Sequence, residues 1–259
     1  DKVHNIEAQI NKIVPLVKGL EIFKQTPVVT SPNGTKFRLV VDDNGIISAV
    51  PSIPKKITFF GNSLLSHGGY YGGVGMAATS QDKDYYHLLT NYIKSKNPNA
   101  ITNIGKGPNW EGGTSSAERR KMLNTLIRPM IDSDTDIVFI QFGDNVNTAE
   151  KRATFIEDGI ELVNFIKSNS PKALIYWIGV WYGGKEVADF IKTICDRTNI
   201  KFIDITLLAT ESRFKAKIGQ KVALPDGGTY IVDNAGVASH PGDEGMKKIA
   251  ETIQQHLLF

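Results

Sequence analysis

The run Phe59-Phe60-Gly61-Asn62-Ser63-Leu64-Leu65-Ser66-His67-Gly68 decides the fold. Ile57-Thr58 precede it, so four apolar, β-branched or aromatic residues stop at a glycine and deliver a serine two positions later. A short apolar run bounded this way reads as a buried strand, and the serine falls on the strand-to-loop turn. Open parallel α/β sheets bind ligands at the carboxyl ends of their strands. Three other places repeat the signal. Gly105 follows a second strand pattern, Gly143-Asp144-Asn145 follows a third, and His240-Pro241 precedes the last helix pattern. Nucleophile, oxyanion donors and base would then converge on one sheet edge.

Working outward, strands are expected at 57–60, 101–104, 137–142, 173–178 and 201–205, alternating with helices at 83–95, 116–131, 149–168, 185–197 and 242–257. Short apolar strands alternating with amphipathic helices imply a parallel sheet covered on both faces. The expected class is α/β, a three-layer α/β/α sandwich with a central parallel sheet over residues 56–259. Asp226-Gly227-Gly228, between Val222 and Tyr230-Ile231-Val232, marks an inserted hairpin over 220–233.

Residues 1–55 read as a separate piece. Val3, Ile6, Ile10, Ile13, Val17 and Leu20 recur at three- and four-residue spacings, the seam of a heptad pattern whose β-branched positions lean towards three or four strands. An amphipathic helix lying on the domain accounts for the same spacing, and Pro15 should kink or end the helix. Alternation on both sides of Asp43-Asn44-Gly45 predicts a β-hairpin, and Pro51 and Pro54 a stiff linker. The hairpin resembles a short module that precedes enzymatic or binding domains in phage tail and prophage proteins. That resemblance and the seam together imply a homotrimer and an extracellular or virion-associated setting.

Composition narrows the function classes. A hydrophobic share of 41% and a charged share of 22% are those of an ordinary globular protein. The net charge of +3 is small for 259 residues and its cations are scattered, so no nucleic-acid partner is expected. No apolar run has the length of a membrane span. The chain starts at Asp1 and not at Met, which reads as an excised or processed fragment. Cys195 lies on a helical pattern as a buried thiol, and five histidines without ligand spacing predict no metal.

In order and spacing, the motifs over residues 56–259 resemble the SGNH (GDSL-like) hydrolase superfamily. Gly61-Asn62-Ser63 is similar to the first block, Gly105 to the second-block glycine, Gly143-Asp144-Asn145 to the third-block Gly-x-Asn, and His240 to the base. The resemblance implies a serine esterase without a cofactor. Ser63 would attack, His240 would take its proton, and the amides of Ser63 and Gly105 with the Asn145 side chain would hold the oxyanion. His67, four residues after Ser63, competes for the base role and is assigned to substrate contact. Two departures stand out. Asn62 replaces an aspartate and is expected to brace the turn. Val237 stands where the family's triad acid belongs. The Val237 carbonyl, Asp233 or Asp243 could support His240 instead, and the sequence does not choose among them.

Aromatic residues among loop glycines, namely Trp110, Trp181 and Tyr182, are expected to bind substrate by offering flat rings to sugar faces. With no long apolar lid segment, the expected substrate is an acylated glycan or small ester, most simply an O-acetylated carbohydrate. Two other classes fit less of the pattern. One is a non-catalytic glycan-binding module on the same scaffold, favoured if Val237 marks lost chemistry. The other is a phosphate or nucleotide binder, for which the first strand end lacks a phosphate-loop signature.

Overall fold

The computed structural model describes residues 28–30, 36–41, 47–51, 53–66, 73–105, 110–182 and 184–257. These fall into two compact units, Asp1–Ser52 and Ile53–Phe259. In the first, β1 (Val28–Thr30), β2 (Lys36–Val41) and β3 (Ile47–Pro51) form an antiparallel sheet in that order, with Leu39 opposite Ala49. The hairpin is present, and β1 adds a strand the sequence pattern did not reveal. The turn 42–46 and the segment 1–27, with its heptad seam, Pro15 and the trimer expected from it, lie outside the described residues.

The second unit runs β4 (Lys56–Gly61), α1 (Tyr85–Lys96), β5 (Ile101–Ile104), α2 (Ser116–Met122), β6 (Ile137–Gln141), α3 (Ala149–Ala153), α4 (Phe155–Asn169) and β7 (Leu174–Ile178). It continues with α5 (Gly184–Thr198), β8 (Lys201–Ile203), the hairpin β9 (Lys221–Ala223) and β10 (Thr229–Ile231), then α6 (Ala235–Ala238) and α7 (Asp243–Gln255). The five-stranded sheet is parallel throughout, in the order β5-β4-β6-β7-β8. After β4 the chain adds β5 on one side and then crosses to place β6 on the other. A crevice therefore opens at the carboxyl ends of β4 and β6. The three-layer α/β/α sandwich expected from the sequence is the observed architecture.

Alternate residues of each strand bury on opposite faces, which is why the strands read as continuous apolar runs. Ile57, Phe59, Phe139, Tyr176 and Ile178 join one core with Leu89, Met246 and Ile253, from α1 and α7. Phe60, Val138, Ile140, Ile175 and Trp177 join the other, with Leu162 and Ile191 from α4 and α5. Burial pushes the Cys195 thiol in this second core up to about 12, so it is held as an inert neutral group.

The helix expected over 149–168 is broken at Thr154 by a buried ion pair. Arg119 of α2 places Nη1 at 2.8 Å from Asp158 Oδ2 and 3.0 Å from Thr154 Oγ1, while Nη2 donates to the Lys151 carbonyl at 2.7 Å. That carbonyl would serve the Phe155 amide in an uninterrupted helix. Its guanidinium lies over the Trp110 and Phe155 rings, at 5.2 and 5.4 Å. With Arg119 and Asp158 both buried, Arg119→Met strands a carboxylate and is expected to lower unfolding free energy by about 3–5 kcal/mol. The double variant Arg119→Met/Asp158→Leu should recover much of the loss. Chemical denaturation measures both, and a single-variant loss below about 1 kcal/mol would contradict the assignment.

Candidate active site

Ser63 follows β4 on a turn built by Asn62. The Asn62 side chain accepts from the Leu64 amide at 3.1 Å, and its carbonyl accepts from the Leu65 and Ser66 amides. Its Nδ2 donates to Asp144 Oδ2 at 3.1 Å. The turn is thus fixed from within and tied to the end of β6. Ser63 is half-buried, and its own amide has no hydrogen-bond partner among the described residues.

His240 lies between α6 and α7, and its Nε2 is 2.8 Å from Ser63 Oγ. Its Nδ1 is 2.9 Å from the Gly236 carbonyl. A carbonyl can only accept, so Nδ1 carries the proton and Nε2 is left to accept from the serine. The supporting carbonyl is that of Gly236 and not of Val237, whose oxygen instead takes the His240 backbone amide at 3.0 Å. Asp233 bonds Tyr230 and Asn234, and Asp243 bonds Thr79 and Lys83. Both carboxylates named as substitutes for a triad acid therefore have other partners.

The histidine loop is fastened by two neighbouring segments. Trp181 Nε1 donates to the Ser239 carbonyl at 2.8 Å, and the Ala216 amide donates to the His240 carbonyl at 2.9 Å. The Tyr182 ring meets the imidazole edge to face at 5.0 Å between centroids.

Asn145 reaches the same cavity from beyond β6. Gly143, two residues earlier, has φ +141°, and a Cβ there would lie 2.6 Å from Val180, so glycine is required for the turn. The Asn145 side chain donates Nδ2 to Glu111 Oε1 at 2.6 Å, leaving its second N–H available. Glu111 is fully buried and also accepts from the Gly143 amide and, at 3.4 Å, from the Asn145 amide. Burial, and after it the negative Asp144, push Glu111 up to about 7, against the pull of these donors. Glu111 was missed in the sequence. Its only signal was a carboxylate placed between Trp110 and Gly112-Gly113 downstream of the second strand.

Other expected site residues are placed differently. The Gly105 amide donates to the Phe59 carbonyl at 2.7 Å, so it completes the sheet and is not offered to an oxyanion. Its glycine is needed because a Cβ would stand 2.5 Å from the Phe60 ring. Trp110 is fully buried against Phe142, Phe155 and Trp177, and is a core residue instead of a substrate platform. Trp181 is likewise buried, and it holds the histidine loop. Tyr182 is 39% exposed and lines the cavity. His67 lies outside the described residues.

Ser63, His240, Asn145 and Tyr182 line one open cavity of about 820 Å³. In fold the chain is similar to an acetylxylan esterase from Geobacillus stearothermophilus. The TM-score is 0.53 at 16% identity, covering 80% of this chain and 97% of the other. It is also similar to an extracellular lipase from Streptomyces rimosus, with a TM-score of 0.50 at 15% identity, covering 78% of this chain and 99% of that one. At these identities the likeness is one of fold, a three-layer α/β/α sandwich around a parallel sheet. No protein-family model matches the chain, and no curated protein matches its sequence.

The Glu111 environment has a thermodynamic consequence. Between its ordinary value of 4.5 and about 7, the folded chain holds a proton that the unfolded chain has lost. The group's contribution to stability therefore falls as pH rises through that window, by on the order of 3 kcal/mol. Glu111→Gln carries no such titration. The melting temperature of the wild type minus that of Glu111→Gln should fall from pH 4.5 to 7, and a flat or rising difference would contradict the burial.

Proposed function

We propose that the chain is a carboxylic ester hydrolase in which Ser63 and His240 act as a catalytic dyad. The 2.8 Å contact between Ser63 Oγ and His240 Nε2, with Nδ1 against a carbonyl, carries this reading. Ser63 Oγ bonds to the ester carbonyl carbon while Nε2 takes its proton, and the carbonyl π pair moves onto oxygen. The Ser63 amide and the Asn145 Nδ2 hydrogen stabilise that oxyanion. As the oxyanion collapses, the C–O bond to the alcohol breaks, and the alcohol leaves with the proton from Nε2. Water then attacks the acyl-serine, giving a proton to Nε2, and the second collapse returns that proton to Ser63 as the acid departs.

The Gly236 carbonyl fixes the same tautomer that a triad carboxylate would. It brings a partial charge where a carboxylate brings a full one, so imidazolium is less stabilised.

The cavity wall favours a small acyl group on a polar alcohol. Among its described lining residues Met76, Val146 and Val237 have aliphatic side chains, whereas Asn147, Arg152 and Asn234 offer donors and acceptors. A long acyl chain needs a continuous apolar channel to repay its removal from water. Together with the exposed ring of Tyr182 and the fold shared with an acetylxylan esterase, this supports an O-acetylated carbohydrate as substrate.

With nitrophenyl acetate or an acetylated oligosaccharide, Ser63→Ala should abolish turnover with the fold retained. Asn145→Ala should lower kcat by roughly 10²- to 10³-fold with little change in KM. Full activity in the serine variant would sink the reading, and a pure KM effect would move Asn145 to substrate binding. Asp233→Asn and Asp243→Asn should leave kcat within about threefold of wild type, since neither carboxylate serves His240. A loss of several orders of magnitude in either would identify an acid acting in the triad.

A further inference from the structure

Asn145 can stabilise an oxyanion only if its amide is turned the right way, and nothing in an asparagine side chain fixes that by itself. The amide can flip to present oxygen in place of nitrogen, and its χ2 torsion is broad. The residue is half-buried at the cavity wall, so packing alone does not hold it. The strongest restraint on its side chain is the 2.6 Å bond to Glu111 Oε1. A carboxylate accepts and does not donate, so Nδ2 must face it, and the second hydrogen of the planar amide is then set at a fixed angle. The other Glu111 oxygen takes the Gly143 and Asn145 backbone amides, which fixes the turn beneath the side chain.

We infer that Glu111 is a positioning residue that aims the Asn145 amide at the oxyanion, and that it does so as a carboxylate. The inference rests on the hydrolase reading. A protonated Glu111 would turn one oxygen into a donor facing groups that themselves donate. The charged group set against it is Asp144, on the β6–α3 loop that also carries Asn145, and Arg119 of α2 lies over the ring of the adjacent Trp110. Lys151 Nζ donates to the Asn145 carbonyl at 3.0 Å, so the residue is held from its backbone side as well. Burial and, after it, the Asp144 charge resist ionisation of Glu111, which places the switch near neutral pH.

The test is a double-mutant cycle on kcat, with Glu111→Gln, Asn145→Ala and the pair, using nitrophenyl acetate. Glutamine keeps the shape and offers one acceptor and one donor where the carboxylate offered two acceptors. Glu111→Gln should lower kcat at least tenfold with KM within about twofold, because the oxyanion forms only after substrate binds. In the Asn145→Ala background the same substitution should change kcat by less than twofold. Multiplying losses, or no loss in the single variant, would overturn the inference while Ser63-dependent hydrolysis stood. Hydrolysis that does not depend on Ser63 would overturn both readings.

The pH profile adds a readout that needs no folded variant. Full rate needs a neutral His240 and an ionised Glu111, so the slope of the acid limb of log kcat for the wild type should be steeper than one over the pH range in which Glu111 titrates. It should drop to one in Glu111→Gln. A wild-type slope of one would overturn the inference even if the glutamine variant failed to fold.

Discussion

Asp144 sits just past the end of β6, buried, and its two oxygens gather hydrogen bonds from three strand ends. Asn62 Nδ2 reaches it from beyond β4 at 3.1 Å, Gln141 Nε2 from β6 at 2.7 Å, and the Trp181 and Tyr182 amides from beyond β7. Burial raises this carboxyl above its ordinary range, while the four donors act in the opposite direction. An asparagine would supply one acceptor where four donors wait, and leaving buried donors unmet costs about 1–3 kcal/mol each. This knot sets the turn that presents Ser63, and through Trp181 and Tyr182 the loop that presents His240. The strands only bring these turns near one another. The carboxylate locks them in register, which is the supporting contact an active site needs if its groups are to stay within reach.

Seen this way, the missing triad acid is less of a gap. The acid's first task, choosing the imidazole tautomer, falls to the Gly236 carbonyl, which the Asn234-capped turn of α6 holds in place. Its second task, balancing the imidazolium charge, is done only in part by a carbonyl dipole. Two buried carboxylates stand nearby instead, Glu111 holding the Asn145 side chain and Asp144 the turn that carries Ser63. Both act through hydrogen-bonded turns, while the His240 imidazole meets the Gly236 carbonyl.

Much of this was legible in the sequence, and the reasons differ from residue to residue. The strands were legible because both faces bury, leaving runs such as Ile137-Val138-Phe139-Ile140 with no polar interruption. Ser63 and His240 were legible as polar residues at strand and helix ends. Trp110 and Trp181 were misread because an aromatic beside glycine signals either an exposed platform or a buried anchor. Which it is depends on partners, such as Phe142 and Ser239, that lie far away in sequence. Gly105 was read as an amide donor, but a glycine spacing cannot say whether its N–H is already used by the sheet, as here by Phe59. Glu111 and the Arg119–Asp158 pair were invisible for the same reason, since a charged residue in a loop or on a helix is by default a solvated one. Only the folded neighbours make it a buried one.

In the proposed reaction Ser63 Oγ is the atom that becomes acylated, with His240 activating it. A serine-directed phosphonate ester, followed by intact-mass measurement and peptide mapping, tests this without knowledge of the natural substrate. The expected result is one adduct per chain, located on Ser63, formed at a rate that collapses in His240→Ala. An adduct on another residue, no adduct at all, or labelling of Ser63 that is indifferent to His240 would contradict it.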